Sequence, residues 1–261
     1  MKAEMIANAY PLSPLQEGML FHSLSAREPG VDVEQILCTL REEVNVPAFE
    51  RAWQRVVKRH DILRTSFRWE GLAEPRQEVH PRVRVRFETK DWRGLPEHER
   101  LNRFETFLQA DRRRGFELPV APLMRLALIR TGDAEHQLVW TFHHLLIDGR
   151  SIVVVFNEVF TFYEAFRAGR ELELDPPPAY RDHLACLERQ DLKQAESFWR
   201  QTLAGFTAPT PLPGVSSHPR TLAEDAIYAA QEIVLPATTK SALKSFAKQN
   251  GLTLNTLMLS A

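Results

Sequence analysis

The run His143-His144-Leu145-Leu146-Ile147-Asp148-Gly149 (HHLLIDG) lies between two apolar segments of different period, and its reading decides the fold. The segment before it, Gln137 to Phe142, reads as a hydrophobic strand. Successive side chains of a strand point to opposite faces, so Leu138, Trp140, Phe142 and His144 share one side and His143 takes the other. The segment after it, from about Ser151 to Arg167, carries Ile152, Val155, Phe156, Val159, Phe160 and Tyr163 at helical spacing. That pattern predicts a long helix buried on most of its circumference, although the successive valines 153–155 would also suit a strand.

Further elements follow on either side. Toward the N-terminus, Leu123 to Arg130 reads as a second apolar strand, joined to the first by a turn around Gly132–Asp133. Leu101, Phe104 and Leu108 form the stripe of a helix ending near Arg114–Gly115, where Arg112, Arg113 and Arg114 make a solvated basic end. Val83, Val85 and Phe87 alternate with arginines, the pattern of a strand with one wet face, and Ile62 to Trp69 reads as another strand. Pro47 opens a helix with Phe49, Trp53, Val56 and Val57 on one face; Glu34 to Leu40 is a strand; Ser13 to Leu24 is a short helix with a Ser–Pro start.

Toward the C-terminus, Asp175-Pro-Pro-Pro178 is a stiff linker, followed by helices at about 180–189 and 191–204 and a Pro/Gly/Ser-rich stretch from Pro209 to Pro219. Ala226 to Leu235 reads as a strand and Thr238 to Gln249 as a helix that Gly251 terminates. The closing LTLNTLMLSA (252–261) resembles the first turns of another buried helix. The expectation is an α/β (α+β) fold, a mixed sheet with flanking helices. Its parts are a first portion over residues 1–174, a linker and helical pair over 175–225, and a further portion over 226–261 that looks cut off before a stop signal.

Composition narrows the function classes. The chain has 261 residues, 44% hydrophobic and 26% charged, which suits a packed globular protein. Its 33 basic and 34 acidic residues leave a formal net charge of -1, without the basic footprint of a nucleic-acid binder. Cys38 and Cys186 form neither a disulfide framework nor a CxxC zinc pair, so a reducing, cytoplasmic setting is expected. The N-terminus has no secretory signal, and no stretch reaches the ~18 to 20 apolar residues of a membrane span.

HHLLIDG itself points to acyl transfer. Two adjacent histidines of a strand face opposite ways and make a poor metal pair, so one is free for chemistry while the other packs. A histidine can accept a proton from an incoming amine or hydroxyl. Gly149 allows close approach of a substrate, and the helix that opens there would offer amide donors to an oxyanion. GxSxG is absent and neither cysteine sits in a nucleophile context, so direct attack on an activated acyl group is the simpler chemistry.

Four segments in order then resemble the condensation domains of nonribosomal peptide synthetases: YPLSPLQEGMLFHSL (10–24), RHDILRTSF (59–67), FHHLLIDGRS (142–151) and YRDHLACLERQDLKQAESFWRQTLAGF (180–206). His183 and Cys186 depart from the bulky apolar or aromatic residues usual in the fourth. The resemblance implies a chloramphenicol-acetyltransferase-like lobe, with residues 1–174 as the N-terminal lobe and 226–261 as the truncated start of a second, and amide-bond formation between two thioesters. The substrates would ride on the phosphopantetheine of donor and acceptor peptidyl carrier proteins beside an adenylation domain, with no directly bound cofactor, no metal, no nucleic acid and no membrane. It also implies roles: His144 at the acceptor amine, His143 behind it, Asp148 in an ion pair with Arg64, and Gly149 giving access to the acyl carbonyl. Family members continue through a second lobe, so the chain alone is expected to be largely inactive. A coenzyme A-dependent acyltransferase and a non-catalytic lobe remain as alternatives.

Overall fold

A computed structural model describes residues 6–26, 30–208 and 233–260. They fall into two compact units, Met1–Phe198 and Trp199–Ala261.

The first unit holds two sheets. The smaller is antiparallel, built from β1 (Asn8–Pro11), β3 (Thr65–Arg68) and β4 (Arg76–Val79) in the order β1-β4-β3. The larger has the order β2-β7-β6-β5, from β2 (Val33–Leu40), β5 (Arg86–Asp91), β6 (Met124–Gly132) and β7 (Glu135–His143). Its pairings are antiparallel except the parallel β5–β6 pair, so the sheet is mixed as expected.

Both faces of the larger sheet are covered. On one, Leu138, Trp140 and Phe142 pack with helices α2 (Val46–Arg59) and α4 (Gly149–Arg167). The Phe49, Trp53, Val56 and Val57 stripe of α2 is at most 1% exposed, and Trp53 meets Trp140 edge-on with ring centroids 5.0 Å apart. On the other face Ala127, Ile129 and Val139 meet Phe104, Phe107 and Leu108 of α3 (Glu97–Arg114). A polar seam pins that helix. Gln35, Thr141 and Arg125 stand side by side on β2, β7 and β6, and all three donate to the Asp111 carboxylate of α3, at 3.0, 2.6 and 2.6 Å. Burial pushes the Asp111 carboxyl up, but these donors and the Arg125 charge outweigh it and hold it below its ordinary value.

Three expectations change, and two short strands were not foreseen. α4 is buried on one side only: Val155, Val159, Phe162 and Tyr163 are inside, whereas Val153 and Val154 are 59% and 51% exposed. The valines remain helical because their low propensity costs only tenths of a kcal/mol each, less than the packing of the buried face returns. Ile62 to Trp69 is not one strand: a 3-10 turn over Asp61–Arg64 precedes β3, closed by Thr65 Oγ1 donating to the Asp61 carbonyl at 2.8 Å. Val83 and Val85 lie outside β5. Gln54 of α2 donates to the Val83 carbonyl at 2.7 Å and accepts from the Val85 amide at 3.2 Å, replacing a strand partner. Finally, β1 and β4, four residues each, carry too short a pattern to be read in advance.

Helix α1 (Pro14–Ser25) begins at the Ser–Pro start, and α5 (Tyr180–Glu188) lays Leu184 on Tyr10 and Val79 of the small sheet. Helix α6 (Leu192–Thr202) follows. The second unit contributes α7 (Ala237–Gln249), stopped at Gly251 with φ +63°, and α8 (Leu254–Ser260). The strand expected over Ala226–Leu235 lies mostly outside the described residues, and 233–235 are not extended into a sheet. Among the described residues no helix is long and apolar enough to cross a membrane. Cys38 and Cys186 are free thiols.

Candidate active site

Strand β7 ends at His143, and the next residues turn at once, with the Leu146 amide donating to the His143 carbonyl at 3.0 Å. That turn separates the two imidazoles as the strand period requires. His143 is 3% exposed. Its Nδ1 accepts from the Leu145 amide at 3.2 Å, so its proton sits on Nε2 and is directed to Ser23 Oγ at 3.4 Å. Burial holds this imidazole down at about 4, against an opposing pull from the Asp32 carboxylate, with His144 adding slightly to the downward push. His143 is therefore neutral at pH 7.

His144 is half-buried and lines a cavity of about 750 Å³. Its Nδ1 lies 2.7 Å from the Ile147 carbonyl, which only accepts, so Nδ1 carries the proton and Nε2 keeps a lone pair. The backbone amide of His144 donates to the Asp32 carbonyl at 2.8 Å. Ring and backbone are thus both fixed.

All four sequence motifs reach this one cavity. Ser13, Gln16 and Met19 come from the first, His60 and Leu63 from the second, residues 144–149 and Ser151 from the third, and Tyr180, His183 and Leu187 from the fourth. Buried Gln16 ties the first motif to the third, donating to the Leu145 carbonyl at 3.0 Å. Gln77 of β4 holds it in turn, donating to Gln16 Oε1 at 3.0 Å and to the Pro11 carbonyl at 2.9 Å. Glu158 of α4 receives Arg59 Nε at 3.0 Å and His60 Nε2 at 2.7 Å, and so anchors the second motif to the helix after the third.

Asp148 does not pair with Arg64. It is the N-cap of α4, and its Oδ1 accepts from the Ser151 amide at 2.9 Å and the Ser151 hydroxyl at 2.8 Å. Those bonds lower its pKa, the backbone amide first. Arg64 instead donates to Asp61 and to the His80 carbonyl, and its Nε is buried without a partner among the described residues. The sequence did not reveal that Asp61, three residues before Arg64 in the 3-10 turn, stands closer. At the N-terminus of α4 the Asp148 carboxylate takes the Ser151 amide, one of the donors that an oxyanion there would use.

Gly149 lines the cavity without a positive φ, and a Cβ built there meets nothing within 4 Å. The absent side chain leaves room on the cavity side rather than against protein. Among the described residues no group of three His, Cys, Asp or Glu side chains is placed to hold a metal ion.

Sequence reasoning missed Gln16, Gln77, Ser23, Asp32 and Glu158. Ser13-x-x-Gln16 was a legible capping box, and it does form, with Ser13 and Gln16 exchanging side-chain bonds to each other's amides at 3.0 and 3.2 Å. The reach of Gln16 to Leu145, 129 residues away, carried no local signal.

The chain matches the family model described as "Condensation domain" over residues 6–261. A linear gramicidin synthase protein of Brevibacillus parabrevis is 44% identical over 98% of this chain, which spans 5% of that protein. Bacitracin synthase 1 of Bacillus licheniformis is 35% identical, again over 98% of this chain and 5% of its own length. Among solved structures, the EpoB NRPS cyclization-docking bidomain from Sorangium cellulosum superposes with a TM-score of 0.72 at 24% identity, over 94% of this chain and 49% of that one. The starter condensation domain of rhizomide synthetase, solved with C8-CoA, gives 0.72 at 19% identity, over 81% and 49%. The fold is that of these condensation and cyclization domains. The chain belongs to the condensation-domain family of nonribosomal peptide synthetases.

Proposed function

We propose that this chain supplies the histidine-bearing wall of a cytoplasmic condensation domain that forms an amide between two carrier-bound substrates. The acceptor amine attacks the carbonyl carbon of the donor thioester; a C–N bond forms, the C–S bond breaks, and the thiol leaves on the donor's phosphopantetheine arm. Each arm belongs to a peptidyl carrier domain, loaded by an adjacent adenylation domain. His144 is the residue assigned to the acceptor amine: its Nε2 holds the available lone pair, and general-base or positioning help of this type is worth about 10²- to 10⁴-fold. His143, neutral and buried, supports the turn behind it. Gly149 leaves space for the acyl carbonyl, and Asp148 shapes the loop by capping α4. Arg64 is structural support within the second motif.

The observation that carries this reading is the convergence of four motifs, spread over residues 10–206, on one cavity beside His144. The test is the complete condensation domain with loaded donor and acceptor carriers. His144→Ala should lower amide formation at least about 100-fold, and wild-type turnover in that variant would overturn the assignment. A coenzyme A-dependent acyltransferase is the second reading, favoured by the C8-CoA bound to the rhizomide relative. Offering acyl-CoA against acyl-carrier donors separates the two, since only carrier donors should react. The chain by itself, matching about half of each solved relative, is expected to turn over little.

A further inference from the structure

Among the described residues Asp32 is the one non-glycine residue with a positive φ, 59°. It is the third residue of the turn Gly30–Val33, which the Val33 amide closes on the Gly30 carbonyl at 3.3 Å. Glycine suits such a position by default, and Asp tolerates it better than most other residues. The turn alone gives no reason for a carboxylate. An outlier of this kind persists where the surroundings require it.

The surroundings are the two histidines. Strand β2 pairs Val33 with His143, so Asp32 stands just beyond, where its carbonyl accepts the His144 amide at 2.8 Å. Its carboxylate accepts the Ser23 hydroxyl at 2.8 Å and lies 3.1 Å from His22 Nδ1. Ser23 has then given away its own proton, and its oxygen can receive His143 Nε2–H at 3.4 Å. The hydroxyl has one direction, from His143 through Ser23 to Asp32. The other ring nitrogen, Nδ1, accepts the Leu145 amide.

We propose that Asp32 is a positioning residue for the histidine turn, holding the His144 backbone through its carbonyl and the His143 ring through its carboxylate and the Ser23 hydroxyl. The proposal rests on reading His144 as the residue at the reacting amine. If the His143 ring rotates, the Leu145 amide loses its acceptor and the turn carrying His144 loosens. Misplacing a reacting group by about 1 Å can cost on the order of 10²-fold.

Three variants test this: D32G, S23A and D32N. D32G keeps the carbonyl and suits the backbone, so its melting temperature should stay level or rise. D32G and S23A should both broaden or shift the 15N imidazole resonances that mark His143 as the Nε2–H tautomer. In the complete condensation domain both should lower kcat about tenfold or more with KM unchanged. The double variant should be no worse than either single one, because both act on one hydrogen-bond chain. D32N should restore the tautomer and most of kcat, since the amide oxygen still accepts from Ser23. Wild-type resonances and kcat in both D32G and S23A would overturn the proposal. Should the domain form no amide at all, the functional reading fails, and the His143 resonances of S23A and D32G alone still decide the positioning role.

Discussion

Asp148 Oδ1 takes both the amide and the hydroxyl of Ser151, at 2.9 and 2.8 Å, and through that cap fixes where the helix behind the cavity begins. Asp148→Ala should therefore destabilise the chain by about 1 kcal/mol, the usual loss of an N-cap, and Asp148→Asn by much less. Because Arg64 bonds elsewhere, a double-mutant cycle of Asp148→Ala with Arg64→Ala should show coupling below about 0.5 kcal/mol by urea unfolding. Coupling of several times that size would restore the ion pair the sequence implied.

His143 sets a pH dependence. Its folded value of about 4 lies below the ordinary histidine value near 6.5, so between those limits the unfolded chain binds the extra proton. Stability should be full above about pH 6.5 and fall as the pH drops toward 4, by up to about 3 kcal/mol from this group. Carboxylates titrate in the same range, so the measurement is the difference between wild type and His143→Gln. The wild-type curve should be the steeper one across that window; parallel curves would mean the ring is protonated where it sits.

Gly149→Ala separates folding from chemistry. The added Cβ meets no protein atom within 4 Å, and alanine favours a helix over glycine by up to about 1 kcal/mol. Thermal unfolding should be unchanged or slightly raised, while amide formation falls at least about tenfold if, as proposed, Gly149 leaves the space for the acyl carbonyl. A lowered melting temperature would show that Gly149 serves the backbone instead.

The Asp111 seam should be the costliest polar site to break. Asp111→Ala leaves Arg125 buried, 7% exposed at its side chain, without its carboxylate, a loss of about 3 to 5 kcal/mol. Adding Arg125→Met should recover much of it, because an apolar pair of similar volume can replace a buried ion pair. Chemical denaturation midpoints of the three variants check this order.

The fold was legible where the pattern is long. The stripe of α2, the β6–β7 hairpin and the strand-to-helix switch at HHLLIDG all announce themselves through period and apolar content. It was illegible where one side chain replaces a local rule. Gln54 satisfies the backbone of Val83 and Val85 and removes a strand that alternation foretold. The histidines and Gly149 were found because their motif is local. Asp32, Ser23, Gln16 and Glu158 were not, because what they touch is far away in sequence. Arg64 was misassigned because two candidate carboxylates, Asp61 and Asp148, were both compatible with the sequence, and only three dimensions rank them.

The bonds that build the histidine turn have a further consequence for how the chain folds. Gln16 waits 129 residues for Leu145, and Ser23 waits 120 for His143. Closing loops of that length is slow, and during synthesis β2 must stand as an unpaired edge until β7 has emerged from the ribosome. The cavity beside His144 thus cannot close until the chain has been made past residue 145. Until then the unpaired edge of β2 is open to pairing with other chains, an interval exposed to aggregation.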